Sequence, residues 1–164
     1  MPSIPEPPRT GVLNWKAVGA VVTMIMTFAA ARLSDRFGRR AIISSGAILG
    51  IVLAFPIIAL MESGTLTGFG IGIVLGNGIV QGLLFGPVGA YIAELFPTSV
   101  RFTGASLAFQ GASALGVGLS PLIAQTLVLG TGASPLVALF WGGMLAIVLV
   151  VLLANKETST KELA

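Results

Sequence analysis

Apolar residues in this chain fall into five long blocks, and the polar residues are confined to the short runs between them. The blocks cover about residues 12–31, 41–60, 66–93, 104–129 and 135–154. Twenty residues of helix rise about 30 Å, the thickness of one bilayer core. The pattern therefore predicts an all-α membrane protein with five transmembrane helices. Residues 1–11 read as a polar, Pro-rich leader and residues 155–164 as a polar tail. Between them, 12–154 form the membrane domain. The first block and Ala29-Ala30-Ala31 superficially match a signal peptide. The arginines that follow oppose export of the next segment, and an acidic leader is a poor n-region.

The breaks between blocks carry the topology. Arg32 to Arg40 holds four arginines and Asp35 in nine residues. A central Arg or Asp costs about 2.5–3.5 kcal/mol on insertion scales, so this run is expected as a surface loop on the cytoplasmic side. Arg101, Lys156 and Lys161 fall on that same side, and the turns at 61–65 and 130–133 hold no Lys or Arg. The expected orientation puts the N-terminus outside and the C-terminus in the cytoplasm, with Arg9 and Lys16 as exceptions. Within the blocks, Pro56 predicts a kink, and Gly76-Asn77-Gly78 and Gly86-Pro87 predict breaks in the third. Ser134-Pro135 reads as an N-cap followed by Pro at the first helical position.

Composition agrees with lipid as the solvent. The chain is 55% hydrophobic and 9% charged, where a soluble domain carries about 25% charged residues. Mean hydropathy is +0.99. The net charge of +3 lies mainly in loops that end apolar blocks, so topology explains it and no nucleic-acid partner is expected. With no Cys and no His, thiolate chemistry and the usual zinc sites are excluded. No catalytic constellation is visible, and no metal or cofactor is expected. Asp35 and Glu94 are loop groups rather than a paired acid and base.

Two motifs carry a family resemblance. Leu33, Asp35, Arg36, Gly38, Arg39 and Arg40 stand in the order Leu-x-Asp-Arg-x-Gly-Arg-Arg between two apolar blocks. This resembles the signature between the second and third helices of each half of a major facilitator superfamily transporter, with Ala31 at its first Gly. Physically, Gly38 permits a tight turn, Asp35 suits a helix N-terminus, and the arginines suit carboxylates or lipid phosphates. The second motif is Glu94-Leu95-Phe96-Pro97-Thr98, then Val100-Arg101-Phe102-Thr103-Gly104-Ala105-Ser106-Leu107 and Gln110. It is similar to the metabolite:proton symporter branch, with Phe102 where Tyr is usual. Pro97 ends the third block. Glu94, at a helix C-terminus, needs a cation against the macrodipole, and Arg101 is its expected partner.

The resemblance aligns the chain with the eighth to twelfth helices of a twelve-helix transporter. It implies transport of a small organic solute, an organic acid or betaine-like metabolite, with proton coupling in the intact family. The setting implied is a bacterial inner membrane. The partners implied are the lipid bilayer, the solute, protons, and the missing N-terminal half or a second copy. The chain is expected to be a truncated or partial transporter. The alternatives are a stand-alone membrane interaction module without transport activity, self-associating through glycine faces, and a complete small transporter acting as a dimer.

No ionisable residue falls at mid-depth in blocks two to five, so a proton relay would belong to the absent half. Asn77 and Gln81 share one helical face, as do Thr23 and Thr27. With Gln110 they are the substrate-cavity candidates that the resemblance implies. Gln125 and Thr126 lie near the outer end of the fourth block. Gly68, Gly72 and Gly76, then Gly78, Gly82 and Gly86, recur every four residues and suit close helix packing.

Overall fold

The fold follows from where lipid forbids an unsatisfied backbone: each apolar block becomes a continuous helix. A computed structural model describes residues 9–131 and 135–154. Six α-helices appear: α1 (Arg9–Phe37), α2 (Arg39–Met61), α3 (Leu66–Ile73), α4 (Gly82–Glu94), α5 (Arg101–Thr131) and α6 (Pro135–Ala154). A π-helical segment, Val74–Gln81, joins α3 to α4 without interruption. Five helices are thus long and apolar enough to cross a membrane, α3 to α4 counting as one. Residues 1–8 of the expected leader, the tail at 155–164 and Ser134 lie outside the described residues.

The arginine run is not the loop its charge suggests. Helix α1 continues to Phe37 and α2 begins at Arg39, leaving Gly38 alone as the turn. Its φ of 93° is a conformation that side chains with a Cβ rarely adopt. Charge sets where lipid ends, but it does not end a helix. At 29 residues α1 rises about 43 Å, some 13 Å more than a bilayer core, so its last turns can stand in the headgroup region. At the opposite end of α2, Gly64 (φ 67°) makes the turn and the Thr65 hydroxyl caps α3, accepting from the Gly68 N–H at 3.1 Å.

Helix α2 and the third span form the centre. Helix α1 packs along one side of them, α6 lies against α2, and among the described residues α5 touches α4 and α6 alone. The core is aliphatic and small: Ile42, Ala47, Ala54 and Ile57 of α2 are buried, as are Val80 of the π segment and Leu145 and Leu152 of α6. The spaced glycines set how near the helices come. At Gly86, a Cβ would press on the Thr27 carbonyl and the Ala31 nitrogen of α1. Gly82 faces Thr23, Met26 and Thr27 of the same helix, and Gly50 of α2 accepts Leu145 and Val80. Helix α5 is the exception, since none of its described side chains is buried.

The expected break at Gly76-Asn77-Gly78 is a widening of the helix instead. In a π-helix each N–H reaches the carbonyl five residues back, which inserts a residue without losing the hydrogen-bond ladder. The span also runs through Gly86-Pro87, with Pro87 fully buried inside α4.

Candidate functional site

The widened turn places two amides at a cavity. A space of about 370 Å³ opens between α2, the third span and α6. Asn77, Gln81 and Phe85 line it from the third span, Ile57 and Met61 from α2, and Trp141 from α6. Asn77 is exposed and Gln81 half-buried. Each amide offers donors and an acceptor. The remaining wall is apolar and aromatic, and among the described residues no charged side chain lines it. Such a site can orient a small polar solute by hydrogen bonds while the rings exclude water.

Gln110 stands elsewhere. It lines a second crevice of about 400 Å³ between α4 and α5, with Gly89, Ile92, Ser106 and Phe109. Phe85 and Phe109 meet edge to face, with centroids 6.5 Å apart and an interplanar angle of 86°. Phe85 lines the first cavity and Phe109 the second.

Thr23 and Thr27 take different roles despite their common helix. The Thr23 hydroxyl lies 2.8 Å from the Gly19 carbonyl and 2.8 Å from the Asn77 carbonyl, and donates its single proton between them. It therefore ties α1 to the π segment. Thr27 borders a third, apolar groove along α1. Thr126 donates to the Ile123 carbonyl at 2.9 Å within its own helix. The five cavity candidates are thus divided: Asn77 and Gln81 converge, and Gln110, Thr23 and Thr27 do not join them.

The charged end is a junction of helix termini. The Arg39 guanidinium lies 3.0 Å from the Glu94 carboxylate and 3.9 Å from Asp35. Arg40 donates to the Leu153 carbonyl at 2.9 Å, placing a cation at the end of α6 where the macrodipole favours one. Two expectations are corrected. Glu94 pairs with Arg39 rather than Arg101, because α2 and α4 pack together and bring the start of one beside the end of the other. Arg101 turns back instead, its Nε donating to the Phe96 carbonyl at 3.4 Å beyond α4. Asp35 sits in the last turn of α1, not at a helix N-terminus. Arg39, at the start of α2, offsets its unfavourable position there. Leu33 and Arg36 are exposed. Pro97 is exposed in the turn between α4 and α5, where its carbonyl accepts from the Val100 N–H at 3.1 Å.

Sequence reasoning missed Trp141 and Phe85 as cavity walls. One signal was present for Trp141: it lies inside a span, whereas membrane tryptophans concentrate at interfaces.

Comparison with known proteins gives a consistent set. Residues 9–164 match the family of sugar (and other) transporters. An inner membrane metabolite transport protein of Escherichia coli (strain K12) is 39% identical over 95% of this chain and 35% of its own length. An ectoine/proline transporter of Corynebacterium glutamicum is 34% identical over 79% of this chain and 26% of its own. A citrate-proton symporter of Klebsiella pneumoniae is 31% identical over 63% and 24%. The chain therefore spans about a third or less of the length of these relatives. No solved structure gives a significant match.

Proposed function

Because the chain belongs to the sugar (and other) transporter family of the major facilitator superfamily, a family of transporters rather than enzymes, we propose that it forms part of a path for a small organic solute. The path crosses a bacterial inner membrane, with the arginine turn and the C-terminus in the cytoplasm. In this reading Asn77 and Gln81 hydrogen-bond the solute's carboxylate or hydroxyl groups, and Phe85 and Trp141 enclose its apolar part. The observation that carries the reading is the convergence of the two amides on one cavity in a π-helical turn, a feature common at functional sites. Gln110, Thr23 and Thr27 contribute less directly, through the second crevice and the α1 contact.

The relatives named for citrate and for ectoine or proline support an organic acid or betaine-like solute. Proton coupling is proposed from the citrate-proton symporter's name alone. Spans two to five carry ionisable groups only near their ends, so the coupling carboxylate would come from further helices. The same reasoning makes this chain a partial transporter that works with more of the fold or with a second copy. The spaced glycines already pack against helices of this chain, which weakens the reading of a self-associating module without transport activity.

The test is equilibrium binding of radiolabelled citrate, proline and ectoine to the purified chain in lipid nanodiscs. At least one should bind, and Asn77→Leu and Gln81→Leu should each weaken binding about two- to tenfold, one hydrogen bond's worth. Equal binding by the wild type and both variants would contradict the proposed site.

A further inference from the structure

We infer that the π turn of the third span is a register switch, latched by the Thr23 hydroxyl. Helix α1 and the third span run side by side in the same direction, and glycines fix their register. On the α3 side of the π segment the Trp15 ring sits on Gly70. On the α4 side Met26 meets Gly82 and Ala30 meets Gly86. From Trp15 to Ala30 α1 advances 15 residues, while from Gly70 to Gly86 the third span advances 16. The extra residue enters at the π turn. Gly19 meets Ile73 and Val22 meets Gly78, so five steps of the third span pass three of α1. The widened turn is therefore what lets both halves of the seam dock at once. These contacts lie within the chain, so they hold whatever packs outside it.

Docking of α1 holds the turn in its π form. In an unbroken α-helix the same residues would bring Gln81 opposite Met26 and Phe85 opposite Ala30. At Gly82 and Gly86 even a Cβ would press on the α1 backbone, so the α form requires α1 to separate from the span. Two features make that form accessible. The Thr23 hydroxyl has one proton and two acceptors, the Gly19 carbonyl of its own helix and the Asn77 carbonyl, each at 2.8 Å. Turned wholly to Gly19, it releases the span with its donor still satisfied. The Asn77 carbonyl then accepts the Gln81 N–H of an α ladder. Gly76, unlike Gly82 and Gly86, has room for a side chain, the nearest atom standing 3.7 Å from where its Cβ would be. Packing does not call for glycine there, and backbone freedom does. Once released, one more residue of α-helix turns α4 by about 100° and advances it about 1.5 Å. Gln81 and Phe85 leave the cavity, and Glu94 is carried away from Arg39. Against α2 the turn sets Gly82 and Leu83 where Leu83 and Leu84 now face Gly46, which adds no bulk. None of this depends on which solute, if any, fills the cavity.

Electron–electron distance measurement on the full chain in lipid nanodiscs tests the switch. Spin labels on Gly89→Cys and Gly143→Cys stand where a Cβ meets open space, and the chain has no cysteine of its own. Without further change the pair should give one main distance. Gly86→Leu, which wedges α1 off α4, should add a second population displaced by up to about 8 Å, the swing of a side-chain tip through the turn. Thr23→Val, which removes the latch without a wedge, should raise the share of that displaced distance about threefold, one interhelical hydrogen bond's worth. Deleting Leu75 takes the extra residue out of the π segment, so each variant should then return to one distance. Labels on Ser63→Cys and Gly143→Cys, on parts that do not turn, should keep their distance throughout. The deletion also has a readout in stability. Without Leu75 the chain should unfold in SDS near the wild type, whereas deleting Leu83 puts Gly86 out of register and should destabilise it. An unchanged single distance in both Gly86→Leu and Thr23→Val, a second population that survives removal of Leu75, or equal losses on deleting Leu75 and Leu83 would each overturn the proposal.

Discussion

Arg39 and Glu94, 55 positions apart in sequence, form an ion pair of 3.0 Å that fastens the start of α2 to the end of α4. The pair is partly buried, with side chains 24% and 35% exposed. It holds together the two motifs that mark the chain as a transporter relative. A double-mutant cycle with Arg39→Gln and Glu94→Gln should give a coupling of about 0.5–1 kcal/mol in SDS-driven unfolding from mixed micelles. Arg101→Gln should show no coupling to Glu94. Coupling of Glu94 to Arg101 instead would overturn the assignment.

Among the described residues, the Thr23 hydroxyl bond to the Asn77 carbonyl is the side-chain hydrogen bond that links α1 to the π segment. Thr23→Val keeps the shape and removes the donor. The loss should be about 0.6 kcal/mol, the average for an interhelical hydrogen bond in a membrane, and at most about 1.7. Hydrogen exchange of the Val74–Gln81 amides should quicken in the variant, while that of α6 stays unchanged.

Two glycines of α4 make opposite predictions. Gly86 lies against the α1 backbone, so Gly86→Ala should destabilise by about 1–3 kcal/mol through overpacking. Gly89 has open space where a Cβ would stand, so Gly89→Ala should be neutral or stabilising by up to about 1 kcal/mol. Both are read from the same unfolding titration, and equal effects would mean that α1 and α4 do not approach as described.

Why some of this could be read from the residues and some could not has a physical basis. Lipid makes hydrophobicity a direct record of span number, so five apolar blocks became five helices. Gly38 was legible because a turn between helices needs a residue tolerant of positive φ. Asn77 and Gln81 were legible as a pair because their spacing holds them on one side of the span, π-widened or not. Helix ends were less so: the arginines mark the lipid boundary, and α1 simply continues past it to Phe37. Glu94's partner was illegible because proximity along the chain favoured Arg101, while packing of α2 on α4 delivers Arg39. The π turn was read as a break, since Gly-Asn-Gly signals backbone freedom without saying which conformation uses it.

Membrane embedding with the arginine turn inside the cell is the premise for the proposed solute path. The chain has no cysteine, so single introduced cysteines report cleanly. Ser63→Cys, between α2 and α3, and Ser99→Cys, between α4 and α5, can be treated in intact cells with a membrane-impermeant maleimide. Position 63 should label from outside, and position 99 only after lysis. Labelling of position 99 in intact cells, or recovery of the unlabelled chain as a detergent-free monomer, would contradict it.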